Sequence, residues 1–238
     1  MTQQSVKRRI LYWAIAAIAV VGLFGAFRMP SAAASGPQGR VSGAPQAAFE
    51  RDWNARRRVP IGIPAQGAKV LVVIFLDWQG PACKAVHGGY LPVVDAINRE
   101  TPGSIRVVTR DYPLNMRCNP NVPVEMHPAA CEAAVAVRLA REKHRETEMI
   151  DWLFARQATL TPALVRQGAQ EVAGVVDLAA RYAAVVKEVA ADVELGRRLE
   201  VGSTPTVFVN GVLARTLENA LFSPQQFEMA LRAELNKK

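Results

Sequence analysis

The chain has 238 residues, half of them apolar and 21% charged, which is enough apolar material for one well-filled core and unlike a disordered or fibrous protein. Its net charge of +8 is unevenly placed: residues 1–58 carry nine Lys/Arg against two acids, and residues 59–238 carry twenty against nineteen. The part able to fold is almost neutral, which speaks against nucleic acid as a partner and leaves the basic excess in the N-terminal tail.

Lys7, Arg8 and Arg9 precede an uncharged run, ILYWAIAAIAVVGLFGAF, from Ile10 to Phe27. A helix of that length reaches about 27 Å, close to the hydrocarbon thickness of a bilayer. The three cations place its N-terminal side in the cytoplasm. Residues 1–28 are therefore expected to be a cytoplasmic stub and a single-pass transmembrane helix in the inner (cytoplasmic) membrane. Residues 10–27 would contact lipid, and the periplasm or its equivalent would hold everything after them. The rival reading, a signal peptide cut after the small residues Ala32 and Ala34, exports the same domain. Residues 29–58 read as a linker. Pro30 to Pro45 is mostly Ala, Ser, Gly and Pro, and 46–58 is a short helix ending in a solvated Arg56, Arg57, Arg58 run.

The folded domain is expected over 59–238. Val70 to Asp77 (VLVVIFLD) is a continuous apolar run rich in β-branched residues, the pattern of a central strand buried on both faces. Gly80 and Pro81 end it, and a helix is predicted over Ala82–Asn98, bent near Pro92. Ile105–Thr109 forms a second strand, completing a βαβ unit with a parallel pair. The middle, about 115–200, is helical. Predicted stretches run from a first-turn Pro128 to Glu142, then over Glu146–Gln157, Pro162–Ala173 and Leu178–Glu200. Gly202 to Gly211 reads as a tight turn, a short strand and a hairpin turn at Asn210-Gly211, with Val212–Thr216 returning. Ser223 caps a last helix, with Pro224 at its first position.

Two segments carry chemistry. Phe75-Leu-Asp-Trp-Gln-Gly-Pro-Ala-Cys83 resembles the strand-to-helix active-site turn of DsbA-like thiol–disulfide oxidoreductases. Val201-Gly-Ser-Thr-Pro-Thr-Val-Phe-Val-Asn-Gly211 resembles their cis-proline loop and the hairpin behind it, and the helical middle resembles the insertion that distinguishes them from plain thioredoxins. The resemblance spans roughly 59–236. It implies an α/β, thioredoxin-like fold, a cis peptide at Thr204-Pro205 beside the turn, and a groove there for extended protein thiols or peptides. No cofactor is implied. The chain departs from the family at one place: where the family has cysteines at both ends of the four-residue turn, here stand Gly80 and Cys83, with Pro81 and Ala82 between. The missing residue is the family's exposed nucleophile, so the usual dithiol cycle cannot run at this turn.

Cys83 keeps the resolving position. It is either a small buried hydrophobe or, if Gly80 and Ala82 uncover it, a monothiol that feels the helix dipole. Cys118 and Cys131 are expected to form a disulfide in an oxidising compartment, pinning a proline-rich loop. The alternative is a second redox pair, with His127 lowering the pKa of Cys131. Asp77 either caps the turn or takes a proton from Cys83. His87 is expected to be exposed, although it lies one helical turn from the thiol, and Trp78 is expected to pack beside the turn. Three scattered Cys and three His lack zinc-site spacing. Two functions remain in view: thiol–disulfide exchange, by Cys83 alone or by Cys118–Cys131, and a non-catalytic peptide-binding or assembly module. A third, plainer reading is a structural membrane-attached subunit. A membrane redox partner supplying the missing thiol leaves no mark on this chain.

Overall fold

A computed structural model describes residues 43–237. The run at Val70–Leu76 forms β1, and every one of its side chains is buried. It pairs in parallel with β2 (Ile105–Asp111), Val70 facing Ile105 and Leu76 facing Asp111. On its other side it pairs antiparallel with β3 (Thr206–Val209), which pairs with the short β4 (Val212–Leu213), giving the order β2-β1-β3-β4. The β3–β4 connection is Asn210-Gly211, both with positive φ, as a tight hairpin turn requires. A β-carbon on Gly211 would lie 2.3 Å from the Val59 carbonyl oxygen, so no other residue fits there.

Helix α2 (Pro81–Glu100) links β1 to β2 and runs through Pro92 as one element. Its inward stripe is Cys83, Val86, Tyr90, Val94 and Ile97, and the Tyr90 ring stacks at 4.0 Å on Phe227 of α7 (Pro224–Leu235). Ser223 caps α7 through a capping box with Gln226. The inserted helices are α3 (Ala130–Glu142), α4 (Glu146–Ala155), α5 (Pro162–Ala173) and α6 (Leu178–Arg198). They pack on one another, and α6 also packs on β2. At Gly196 of α6 an added β-carbon would lie 2.6 Å from the Tyr112 ring, so the absence of a side chain sets that close approach. Pro128 precedes α3 rather than opening it, β2 continues two residues past Thr109, and β4 stops at Leu213.

The expected linker differs most from the structure. Residues Gly43–Ala55 form α1, which packs on α7 and belongs to the folded unit. Trp53 is fully buried, stacks with Phe49, and donates its indole N–H to Glu234 Oε1 at 2.6 Å. The arginines that follow are not uniformly solvated. Arg56 bonds Asp52 and the Arg215 carbonyl, Arg58 pairs with Glu234 at 2.6 Å, and Arg57 alone of the three has no hydrogen-bond or ion-pair partner among the described residues. Burying Trp53 requires its N–H to be met, and Glu234 does so while Arg58 balances its charge. The predicted membrane anchor at 10–27 and the linker up to residue 42 lie outside the described residues. Among the described residues no helix is long and apolar enough to cross a membrane.

Candidate functional site

The strand β1 delivers Asp77, Trp78 and Gln79 to a turn from which α2 starts. Gly80 is the N-cap of α2 in an extended conformation (φ −77°), Pro81 follows at the first helical position, and the Gly80 carbonyl accepts from the Cys83 and Lys84 amides and from Gln157 Nε2. Asp77 is wholly buried and fully used: Oδ1 accepts from the Gln79 amide at 2.7 Å, and Oδ2 accepts from the Leu114 amide at 2.7 Å and meets His127 Nδ1 at 2.9 Å. It therefore caps the turn, and the hydrogen bond that His127 donates to this carboxylate raises the His127 pKa above the ordinary histidine value.

Cys83 is 0% exposed. Of its two readings, the buried small hydrophobe fits and the uncovered thiol does not, because the side chain sits on the inward stripe of α2, beneath the exposed Pro81 and Ala82. Burial pushes its pKa up to about 12, although the Asp77 amide, 3.3 Å from Sγ, and the Thr204 hydroxyl pull it down. That hydroxyl lies near the sulfur but outside hydrogen-bonding geometry with any group. At neutral pH Cys83 is a protonated thiol, not a nucleophile. A β-carbon added to Gly80 would lie 3.2 Å from Cys83 Sγ and 3.5 Å from His127 Cε1.

Thr204-Pro205 is a cis peptide, and its loop is braced by Arg215, whose guanidinium reaches Ser203 Oγ at 3.2 Å and the Pro205 carbonyl at 3.3 Å. Cys118 and Cys131 are bonded (S–S 2.03 Å, Cα–Cα 6.0 Å), and both are buried. Their loop is fastened over the turn: Asn115 donates to the His127 and Pro128 carbonyls, and the Ala129 amide donates to Gln79 Oε1 at 2.8 Å. His127 thus faces Asp77 and Gly80. The redox-pair alternative places it beside Cys131 instead. The only hint was its place inside the disulfide loop, since its partner lies 50 residues earlier.

His87 is not the exposed group expected. It packs between Trp78 and Phe154, and burial lowers its pKa. Trp78 is buried beside the turn and donates to Asp111 Oδ1 at 2.8 Å. Among the described residues no cluster of His, Cys, Asp and Glu could hold a metal. One free cysteine, Cys83, stands beside one disulfide.

Solved structures share this fold over most of their length. BdbD from Bacillus subtilis is 18% identical with a TM-score of 0.56, covering 76% of this chain and 98% of its own. A thioredoxin-like oxidoreductase from Silicibacter pomeroyi is 18% identical with a TM-score of 0.54, covering 75% and 96%. The catalytic domain of Proteus mirabilis ScsC is 18% identical with a TM-score of 0.52, covering 81% and 98%. At that identity the likeness shows the fold alone. No curated protein matches the chain. A thioredoxin family model matches residues 58–231, from just before β1 into α7 and across both the Gly80–Cys83 turn and the cis-proline loop. The chain belongs to the thioredoxin family.

Proposed function

We propose that this protein works outside the cytoplasm, anchored by residues 10–27, as a thioredoxin-family holder of cysteine-bearing or unfolded polypeptides that does not run a dithiol cycle. One observation carries the reading: the nucleophile's place is taken by Gly80, and the remaining thiol, Cys83, is buried with its pKa pushed up to about 12. The cis-proline loop, braced by Arg215, keeps the backbone edge on which an extended peptide would lie. The Cys118–Cys131 bond supports an oxidising compartment. The experiment combines N-ethylmaleimide labelling, an insulin turbidity assay, and anisotropy of a fluorescent, reduced and alkylated insulin B chain. Cys83 should label only after unfolding, turbidity should stay at the blank, and the B chain should bind saturably. Rapid native labelling of Cys83, or turbidity lost in Cys83→Ala, would replace holding with catalysis. Activity that survives Cys83→Ala would move the chemistry to Cys118–Cys131.

A second reading, exchange through Cys83, is favoured by the 3.2 Å between a β-carbon at position 80 and Cys83 Sγ. In a disulfide the separation of a β-carbon from the far sulfur is about 3.0 Å. A partner sulfur delivered to that position as a mixed disulfide would be within reach. Cys83 would bond to it, the old S–S bond would break, and the departing thiol would carry the Cys83 proton, with no net oxidation.

A further inference from the structure

A cleft of about 820 Å³ lies between the chain leading out of α1 and helix α6, away from the Gly80 turn. Four of its lining side chains are arginines: Arg57, Arg110, Arg138 and Arg198. Its two acids are already engaged. Asp192 is shared by Arg138 and by Arg110, whose Nε lies 3.4 Å from Oδ1, and Glu188 meets Arg138 at 3.2 Å. Arg138 also bonds the buried Asp111 at 2.6 Å. The Arg110 Nε is buried and makes no hydrogen bond, and Arg57 and Arg198 stand exposed at the rim, neither in a salt bridge among the described residues, although the Arg198 charge is felt by Glu194 outside the cleft. This is not overflow from a basic surface, since residues 59–238 hold twenty cations against nineteen acids. Val59, Ile63, Leu195 and Leu199 add half-buried apolar wall between the charges.

We propose that this cleft binds an acidic segment of a partner polypeptide, its carboxylates on Arg57 and Arg198 and its apolar side chains between them. Guanidinium forks match carboxylates two bonds at a time, and the apolar walls need a ligand that has side chains as well as charge. A concave, walled site suits a chain better than a bilayer surface does. The cleft also runs on to the cis-proline loop: a neighbouring cleft of about 430 Å³ shares Arg57, Val59 and Leu199 with it and is lined by Ser203 and Thr206. One extended polypeptide can therefore follow both. The inference does not depend on whether Cys83 is reactive.

The test uses the full chain in non-ionic detergent and a fluorescent ten-residue peptide of alternating Glu and Val, read by anisotropy. Saturable binding is expected. It should weaken at least tenfold in Arg57→Ala/Arg198→Ala and for the matching Gln–Val peptide, fall with salt, and stay unchanged in Arg99→Ala/Lys143→Ala, which alters cations outside the cleft. The charge-reversed Arg57→Glu/Arg198→Glu variant should instead take up a Lys–Val peptide. Absence of binding overturns the proposal, and so does equal loss in the Arg99/Lys143 variant. Displacement of the peptide by phosphatidylglycerol vesicles or inorganic phosphate at equal charge also overturns it, because either would reassign the arginines to phosphate.

Discussion

Gly80 has an ordinary φ of −77°, so it is not glycine for conformational reasons, and a side chain there meets only modest crowding: the Asp77 carbonyl and Cys83 Sγ, each at 3.2 Å. Gly80→Cys should therefore fold and close a disulfide to Cys83 under oxidation. Its new sulfur would sit at the start of α2 with His127 beside it, an environment that favours a thiolate. We expect the variant to gain insulin reductase activity while the wild type shows none; an oxidised variant with two free thiols would mean the turn has lost its old geometry. His127 makes a second residue-scale prediction. Its folded pKa is raised, first by the hydrogen bond to Asp77, so its contribution is fully present below the unfolded value of about 6.5 and fades as pH rises through the folded value. His127→Asn keeps a neutral donor but not the proton. Denaturant unfolding should show wild type ahead by about 1 kcal/mol or less near pH 5.5, a margin that shrinks above neutrality. A margin that grows towards pH 9 would contradict the pairing.

Among the elements, the loop before α3 has no regular structure of its own and depends on the Cys118–Cys131 bond and on Asn115. Cys118→Ala/Cys131→Ala should cost about 3 kcal/mol in unfolding free energy. It should also raise native labelling of Cys83, because the same loop lays His127 against the turn; unchanged labelling would show that the remaining hydrogen bonds suffice. Most elements could be read from local pattern: the unbroken apolar run of β1, the Asn210-Gly211 hairpin and the Ser223 cap each carry their signal within a few residues. The inward position of Cys83 was also readable, since Val86, Tyr90, Val94 and Ile97 continue its stripe at helical spacing. The Asp77–His127 contact was not, because neither residue has a local reason to choose the other. The seat of α1 was not readable either: its segment looks like linker until Trp53 is placed against Glu234, 181 residues away.

At the scale of the whole molecule, a basic-flanked apolar run at 10–27 precedes a nearly neutral domain. The full-length protein should fractionate with membranes and keep residues 1–34; a mature N-terminus near Ser35 would replace the anchor with export alone. The family fold was legible in its order of elements, while what the turn can do was not. That depends on how deeply one sulfur is buried, and depth is a property of packing from all sides.

The docking of α1 on α7 also sets an order of events during synthesis. The seat of Trp53 is made from Phe222 and from Glu234, which follows Trp53 by 181 residues. A chain is made N-terminus first, so α1 must wait, its Phe49 and Trp53 without their seat, until α7 has been made. Closure of the fold is therefore a late, long-range step that joins the two ends of the domain. A chain stopped before Pro224 would lack α7 and leave α1 without the surface it packs on.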